Sequence, residues 1–292
     1  MQKELYTTLK WFAPISLTQL NSTVQLLDRV ETKYMIHLSQ LPALLQHLQE
    51  HFFVLEIKDN VLFTYDNVYM DTKNYDFYFQ HLQGKKQRTK VRTRHYVESG
   101  DLVFFEYKQK IKSLVRKFRY QYGLDNHGAM TNEAMKFYEG IYWSIYGDHP
   151  HQLIFPVLNN SYNRLTLCSK QNDERLTIDL NLSFADYRES DQASAKRIPL
   201  SNVVIIESKS VSGDTLSHHL MRQEGIEPME PMEHCSKYCL GMYYLKKVND
   251  WKLFQPVIDK ITELGNTKHV PVPSKMQLHH MFEDYAKQPP VW

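Results

Sequence analysis

The sequence predicts an α+β fold: a closed eight-stranded antiparallel β-barrel with flanking helices. Three observations carry this. Eight segments rich in Val, Ile, Thr, Phe and Tyr read as strands, at 29–36, 62–70, 88–97, 102–111, 115–122, 161–168, 174–184 and 203–209. Several of them carry charged residues at i and i+2, which puts those charges on one face of the strand. The spacing is mostly hairpin-like, and closing so many strands on themselves removes the edges they would otherwise expose.

Taken in order, the first strand is RVETKYMI at 29–36, after which Ser39 caps a helix bearing Leu41, Leu44, Leu45 and Leu48. FTYDNVYMDT at 63–72 follows, a strand to which we assign packing alone. The KVRTR strand is joined through the turn Glu98-Ser99-Gly100-Asp101 to FFEYK at 104–108. VRKFR at 115–119 comes next, then a helix over 131–146 with Ala134, Phe137, Tyr138, Ile141, Tyr142 and Ile145 at helical spacing. SYNR, ERLTIDLNLSF and VVIIESK are the last strands, and a helix at 234–247 follows the break at Pro228 and Pro231. Residues 250–292 hold Pro256, Pro271, Pro273, Pro289 and Pro290. The expected organisation is therefore one domain over 1–249 and a loosely packed extension over 250–292.

Composition narrows the function. The chain has 292 residues, 42% of them hydrophobic, and a net charge of only +2, which argues against a general nucleic-acid binder. Locally the balance differs: Lys85 to Arg119 holds 12 Lys/Arg against three acids, Glu98, Asp101 and Glu106. That concentration suggests an anion site. Cys168, Cys235 and Cys239 fit neither a disulfide framework nor a common zinc spacing, and read as reduced thiols. The pairs His149/His151, His218/His219 and His279/His280 read as surface histidines. With no signal peptide and no apolar run near the roughly 20 residues a membrane span needs, we expect a soluble cytoplasmic protein. It remains open to a membrane-protein partner.

The same-face charges are Arg29/Glu31/Lys33, Lys90/Arg92/Arg94, Glu106/Lys108, Lys117/Arg119 and Glu207/Lys209, with Tyr162/Arg164 and Arg175 on two further strands. One reading is a solvated sheet face with cross-strand salt bridges. The other turns these faces inward, where so many cations would repel one another without an anion. Arg suits that work because its planar fork grips phosphate oxygens in pairs. Glu31, Glu106 and Glu207 are too few to neutralise the cations and would fit as ligands of Mg²⁺ or Mn²⁺ bridging phosphates. Neither a Walker loop nor GxGxxG occurs.

These motifs, with the late HCSKYCLG, resemble the VTC domain from about residue 25 to 245. That is the polyphosphate-polymerase domain of the vacuolar transporter chaperone complex, within the triphosphate tunnel metalloenzymes. The resemblance implies transfer of the γ-phosphoryl group of ATP onto polyphosphate inside a basic tunnel. Lys33, Arg92, Arg94, Lys108, Lys117, Arg164 and Arg175 match its phosphate-binding positions, and Glu207 its metal ligand. Tyr162 with Arg164 matches a pair near the nucleotide; Ser236 and Lys237 match a pair at one tunnel mouth. The wider superfamily opens with Glu-x-Glu-x-Lys, and Arg29 replaces the first Glu here, as in the VTC form. A triphosphatase or polyphosphatase, and a sensor without turnover, would need the same cage.

Overall fold

The computed structural model describes residues 8–23, 30–112, 114–171, 174–187, 196–211, 215–230, 235–250 and 252–266. Arg29, His234, His279, His280 and the extension from 267 onward lie outside them. Along the chain run β1 (Ala13–Ile15), α1 (Leu17–Thr23), β2 (Val30–His37), α2 (Leu41–Leu48), β3 (Phe52–Leu55) and β4 (Leu62–Thr72). Next come α3 (Asp76–Leu82), β5 (Gln87–Tyr96), β6 (Val103–Ile111), β7 (Leu114–Tyr122) and α4 (Asn132–Tyr146). The rest is β8 (Ile154–Ser169), β9 (Arg175–Asp186), β10 (Ile198–Leu200), β11 (Val203–Ser210), α5 (Leu216–Gln223), α6 (Lys237–Tyr244) and α7 (Gln255–Asn266).

All eight expected strands are present, and they form one path in the order β2-β11-β9-β8-β4-β5-β6-β7. Every neighbouring pair on that path is antiparallel. Hydrogen bonds do not close it: among the described residues β2 and β7 end the path without pairing. The expected closed barrel is corrected to this extent. The chemistry of β7 explains why an edge is tolerated there, since Arg116, Lys117 and Arg119 are exposed on it and charge protects a strand edge.

The apolar alternate residues of the sheet pack under helices. Tyr34, Ile36, Leu165, Ile178, Val204 and Ile206 meet Leu41, Leu44, Leu45 and Leu48 of α2. Val91, Phe105 and Tyr107 meet Ala134, Tyr138 and Ile141 of α4. Thr131 caps α4 by accepting from the Ala134 amide at 3.2 Å, and Gly147 ends it at φ +67°. The cap before α2 differs from expectation. His37 and Gln40, rather than Ser39, form the capping box of the short turn that precedes it.

A third apolar group gathers α6 and α7 against Leu158, Leu182 and Phe184. The α6 helix lies very close to the sheet: a Cβ at Gly241 would stand 2.8 Å from Phe184 Cδ1. Phe254, Val257, Ile258, Ile261 and Leu264 are buried there too, so 252–266 is packed rather than loose. Pro256 misled the sequence reading because it sits in the first turn of α7, where a missing N–H costs nothing. No helix among the described residues is long and apolar enough to cross a membrane.

Candidate functional site

Strand register decides which side chains share a face. Glu207 is opposite Lys33 on one side and Thr177 on the other, and Lys209 is opposite Glu31 and Arg175. Arg164 is opposite Asp179, Arg94 opposite Asn67, and Arg92 lies between Tyr69 and Glu106. Lys108 stands between Lys90 and Lys117, and Glu106 beside Arg119. The alternate residues of eight strands therefore continue one another across the sheet, on the face away from α2 and α4.

The β2–β11–β9–β8 wall is held by carboxylates. Lys33 donates to Glu207 at 2.8 Å and also to Glu31, while Lys209 donates to the other Glu207 oxygen. Burial pushes the Glu207 carboxyl up, but Lys209 and Lys33 outweigh it and hold it well below the usual range. Arg164 grips Asp179 with Nε at 2.6 Å and Nη2 at 2.7 Å, and Lys237 Nζ reaches the same carboxylate at 2.5 Å. Against the cost of burial, Arg164 and Lys237 bring Asp179 down to about 2. Arg175 lies at the end of this wall and donates to the Leu20 carbonyl at 3.4 Å.

The facing β4–β5–β6 wall has more cation than acid. Arg92 Nε donates to Glu106 at 2.7 Å and Nη1 to the Tyr69 hydroxyl at 3.1 Å. Arg94 Nε donates to Asn67 Oδ1 at 2.8 Å and Nη2 to the Tyr162 hydroxyl at 3.3 Å. Its guanidinium lies 4.9 Å from the centre of the Tyr65 ring, with that of Arg164 at 5.0 Å. Burial opposes ionisation of Glu106, yet Arg92 and Arg94 hold it at about 2. Among the described residues Lys108 has no such partner: burial first, then Lys90 and Lys33, push it down to about 8. Burial likewise brings Lys209 to about 8 in spite of Glu207. Lys117 and Arg119 are exposed on β7, Arg119 lying 4.7 Å from the centre of the Phe104 ring.

The α6 helix closes one end. Ser236 accepts from Lys90 at 2.9 Å, and Tyr238 donates to buried Asp71, which also accepts from the Phe77 and Tyr78 amides at the start of α3. The Tyr238 ring stacks on Tyr69 at 5.1 Å. Cys168, Cys235 and Cys239 are free and buried.

The sequence-derived residues thus gather on one face, with Lys117 and Arg119 at its rim. Four participants are missed or undervalued by the sequence reading. Asp179 shares parity with Arg175, a signal available in the sequence. Tyr65 and Asn67 belong to the strand assigned packing alone, and the alternate residues they share a face with include no cation. Lys90 had appeared only as a companion of Arg92. The three acids are not brought together: Glu31 and Glu207 converge on one ammonium, whereas Glu106 is tied to Arg92. Among the described residues no group of three or more His, Cys, Asp and Glu could hold a metal by itself.

Fold and site define an α+β protein whose antiparallel sheet turns a cation-rich, partly buried face toward its interior. The model of the VTC domain matches residues 28–246, well over half of the chain, and the protein belongs to the VTC-domain family. Among solved structures, a candidate adenylate cyclase of Bacillus halodurans is similar with a TM-score of 0.39 and 11% identity, over 69% of this chain and 91% of that one. A candidate adenylyl cyclase of Hippeastrum described as having a dominant triphosphatase activity gives 0.43 and 12%, over 74% and 96%. No curated protein matches the sequence.

Proposed function

We propose that this protein is a phosphotransferase that binds ATP by its triphosphate and passes the γ-phosphoryl group to a polyphosphate chain. The observation that carries this is the imbalance on the β5–β6 side of the site. Lys90, Arg92, Arg94 and Lys108 face the interior with one carboxylate, Glu106, among them. Lys108 also feels Lys33 and Glu207 of the opposite wall, which supports reading the sheet as curled around a tunnel.

Phosphoryl transfer asks a protein for positioning and charge rather than covalent chemistry. Asp179 and Glu106 hold Arg164 and Arg92 in fixed orientations, and Tyr65 sits against both Arg94 and Arg164. These forks clamp phosphate oxygens in line, and Lys108 and Lys209, already reluctant to stay charged, become fully charged when the anion arrives. The acceptor is itself a phosphate with an ionised oxygen, so no strong general base is required. Glu31 and Glu207 would hold a hard divalent cation, Mg²⁺ or Mn²⁺, since such ions prefer carboxylate oxygens and need only one or two of them beside a phosphate ligand. When bound, such an ion offsets charge on the transferring group. Glu106 we assign to holding Arg92.

Incubating the purified protein with ATP and Mn²⁺ tests the reading. A ladder of polyphosphate on a gel is the expected result. Orthophosphate as sole product would make it a hydrolase, and tight binding without turnover a sensor.

A further inference from the structure

The cationic face does not stop where the cage ends. On β5, Arg88 lies two residues before Lys90, and on β6, Lys110 lies two residues after Lys108; Arg88 and Lys110 are opposite each other in register. From Arg94 to Arg88 the ladder runs six residues, roughly 20 Å of strand, which is longer than a triphosphate. Beyond it the two flanking turns meet: the Lys112 amide donates to the Lys86 carbonyl at 2.7 Å. Gly84, Lys85, Lys86, Arg88, Lys110 and Lys112 line a pocket of about 350 Å³ at this point.

Two features separate this pocket from an ordinary basic surface. Arg88 is only 8% exposed, and its Nε and Nη1 are buried without a hydrogen-bond partner among the described residues. A guanidinium left with unused donors away from water is costly, and an anion removes that cost. None of the ion pairs among the described residues involves any of the five cations. The local field is strong enough to be felt by His81 on α3, which burial and then Lys90, Arg88 and Lys108 hold well below its usual pKa.

We propose that this pocket is a second phosphate subsite, which takes the segment of a condensed-phosphate chain that lies beyond the triphosphate cage. The proposal rests on the reading of the cage as a triphosphate site. Arg88 is the anchor at the pocket floor. Lys85, Lys86, Lys110 and Lys112 surround it as point charges that follow a flexible polyanion without fixing its register.

The test compares the full chain with a Lys85→Ala/Lys86→Ala/Lys112→Ala variant, whose changes are exposed, and with Arg88→Gln. Binding of tripolyphosphate, long-chain polyphosphate and orthophosphate is measured by calorimetry at fixed ionic strength. Both variants should lose about tenfold in long-chain affinity, the equivalent of one good charge-assisted contact. Tripolyphosphate affinity of the triple variant should change by less than about twofold, since exposed charges at that distance are screened. That of Arg88→Gln should fall by less than its long-chain affinity does. The triple variant decides the matter if Arg88→Gln does not fold. Unchanged long-chain affinity, or equal losses for both chain lengths, would overturn the proposal. So would loss of a saturable orthophosphate site with long-chain binding intact, because the pocket would then serve free phosphate. If wild type fails to bind tripolyphosphate while the variants still lose long-chain binding, the cage reading fails and the pocket stands.

Discussion

The two walls of the site are built from similar residues and balanced in opposite ways. On the β2–β11–β9–β8 wall, Lys33 and Lys209 share Glu207, Glu31 adds to Lys33, and Asp179 serves both Arg164 and Lys237. On the β5–β6 wall, Glu106 alone serves Arg92 and Arg94, while Lys90 and Lys108 make no ion pair among the described residues. The first wall has its geometry set before any ligand arrives. The second holds repulsion that an anion relieves, so ligand binding and stability are linked there. One wall is a fixture and the other, on the proposed reading, a receptor.

The sharpest way to break the contrast is Asp179→Asn. It leaves two buried cations without their carboxylate, and breaking such a pair costs about 3–5 kcal/mol of stability. Because the folded carboxyl sits at about 2, below its unfolded value, its contribution is present above pH ~4 and is lost as pH falls toward 2. Denaturant melts at neutral pH check it; an unchanged midpoint would mean this wall is not held by its acids.

Next in size is Glu207→Gln. The isosteric change keeps strand pairing and removes the charge a hard cation prefers, so turnover should fall by roughly a hundredfold, about 2.7 kcal/mol in the barrier. Triphosphate binding should persist through the opposite wall, and raised Mn²⁺ should restore part of the rate. Superimposable metal-dependence curves for the variant and wild type would remove this acid from the metal site.

The smallest effect sharpens the contrast from the receptor side. Lys108→Met should leave the ligand-free protein as stable as before or slightly more so, while tripolyphosphate binding weakens by about 1.5–3 kcal/mol. Lys108 sits at about 8 when folded, against about 10.4 unfolded. Between those values the unfolded chain binds more protons, so ligand-free stability rises with pH. Binding of a polyanion raises the folded value again. Calorimetry in buffers of different ionisation enthalpy near pH 8.5 should show proton uptake by wild type, and less by the variant.

Much of this site was legible because the period of a strand is two. Counting i, i+2 charges in RVETKYMI, KVRTR, FFEYK and VVIIESK put Lys33, Arg92, Arg94, Lys108 and Glu207 on one face before any register was known. What parity cannot supply is which strands are neighbours. The Arg164–Asp179 fork depends on the β8–β9 register, which slips at a bulge where Asn181 takes φ +55°. Tyr65 and Asn67 were hidden for a different reason: uncharged side chains in a strand look the same whether they face a core or a cage. Closure failed as an expectation because counting strands says nothing about how the two end strands meet.

The strand order also dictates when the site can exist. The β5–β6–β7 wall is a meander whose pairings are local, so it can assemble as soon as those residues have been synthesised. Glu207 reaches Lys33 across 174 residues of sequence, and β2 has no place on the path until β11 is made. The receptor wall is therefore complete first during synthesis, and the fixture last. A nascent chain carries most of its cations before it carries Asp179 and Glu207, the two carboxylates on the strands made last.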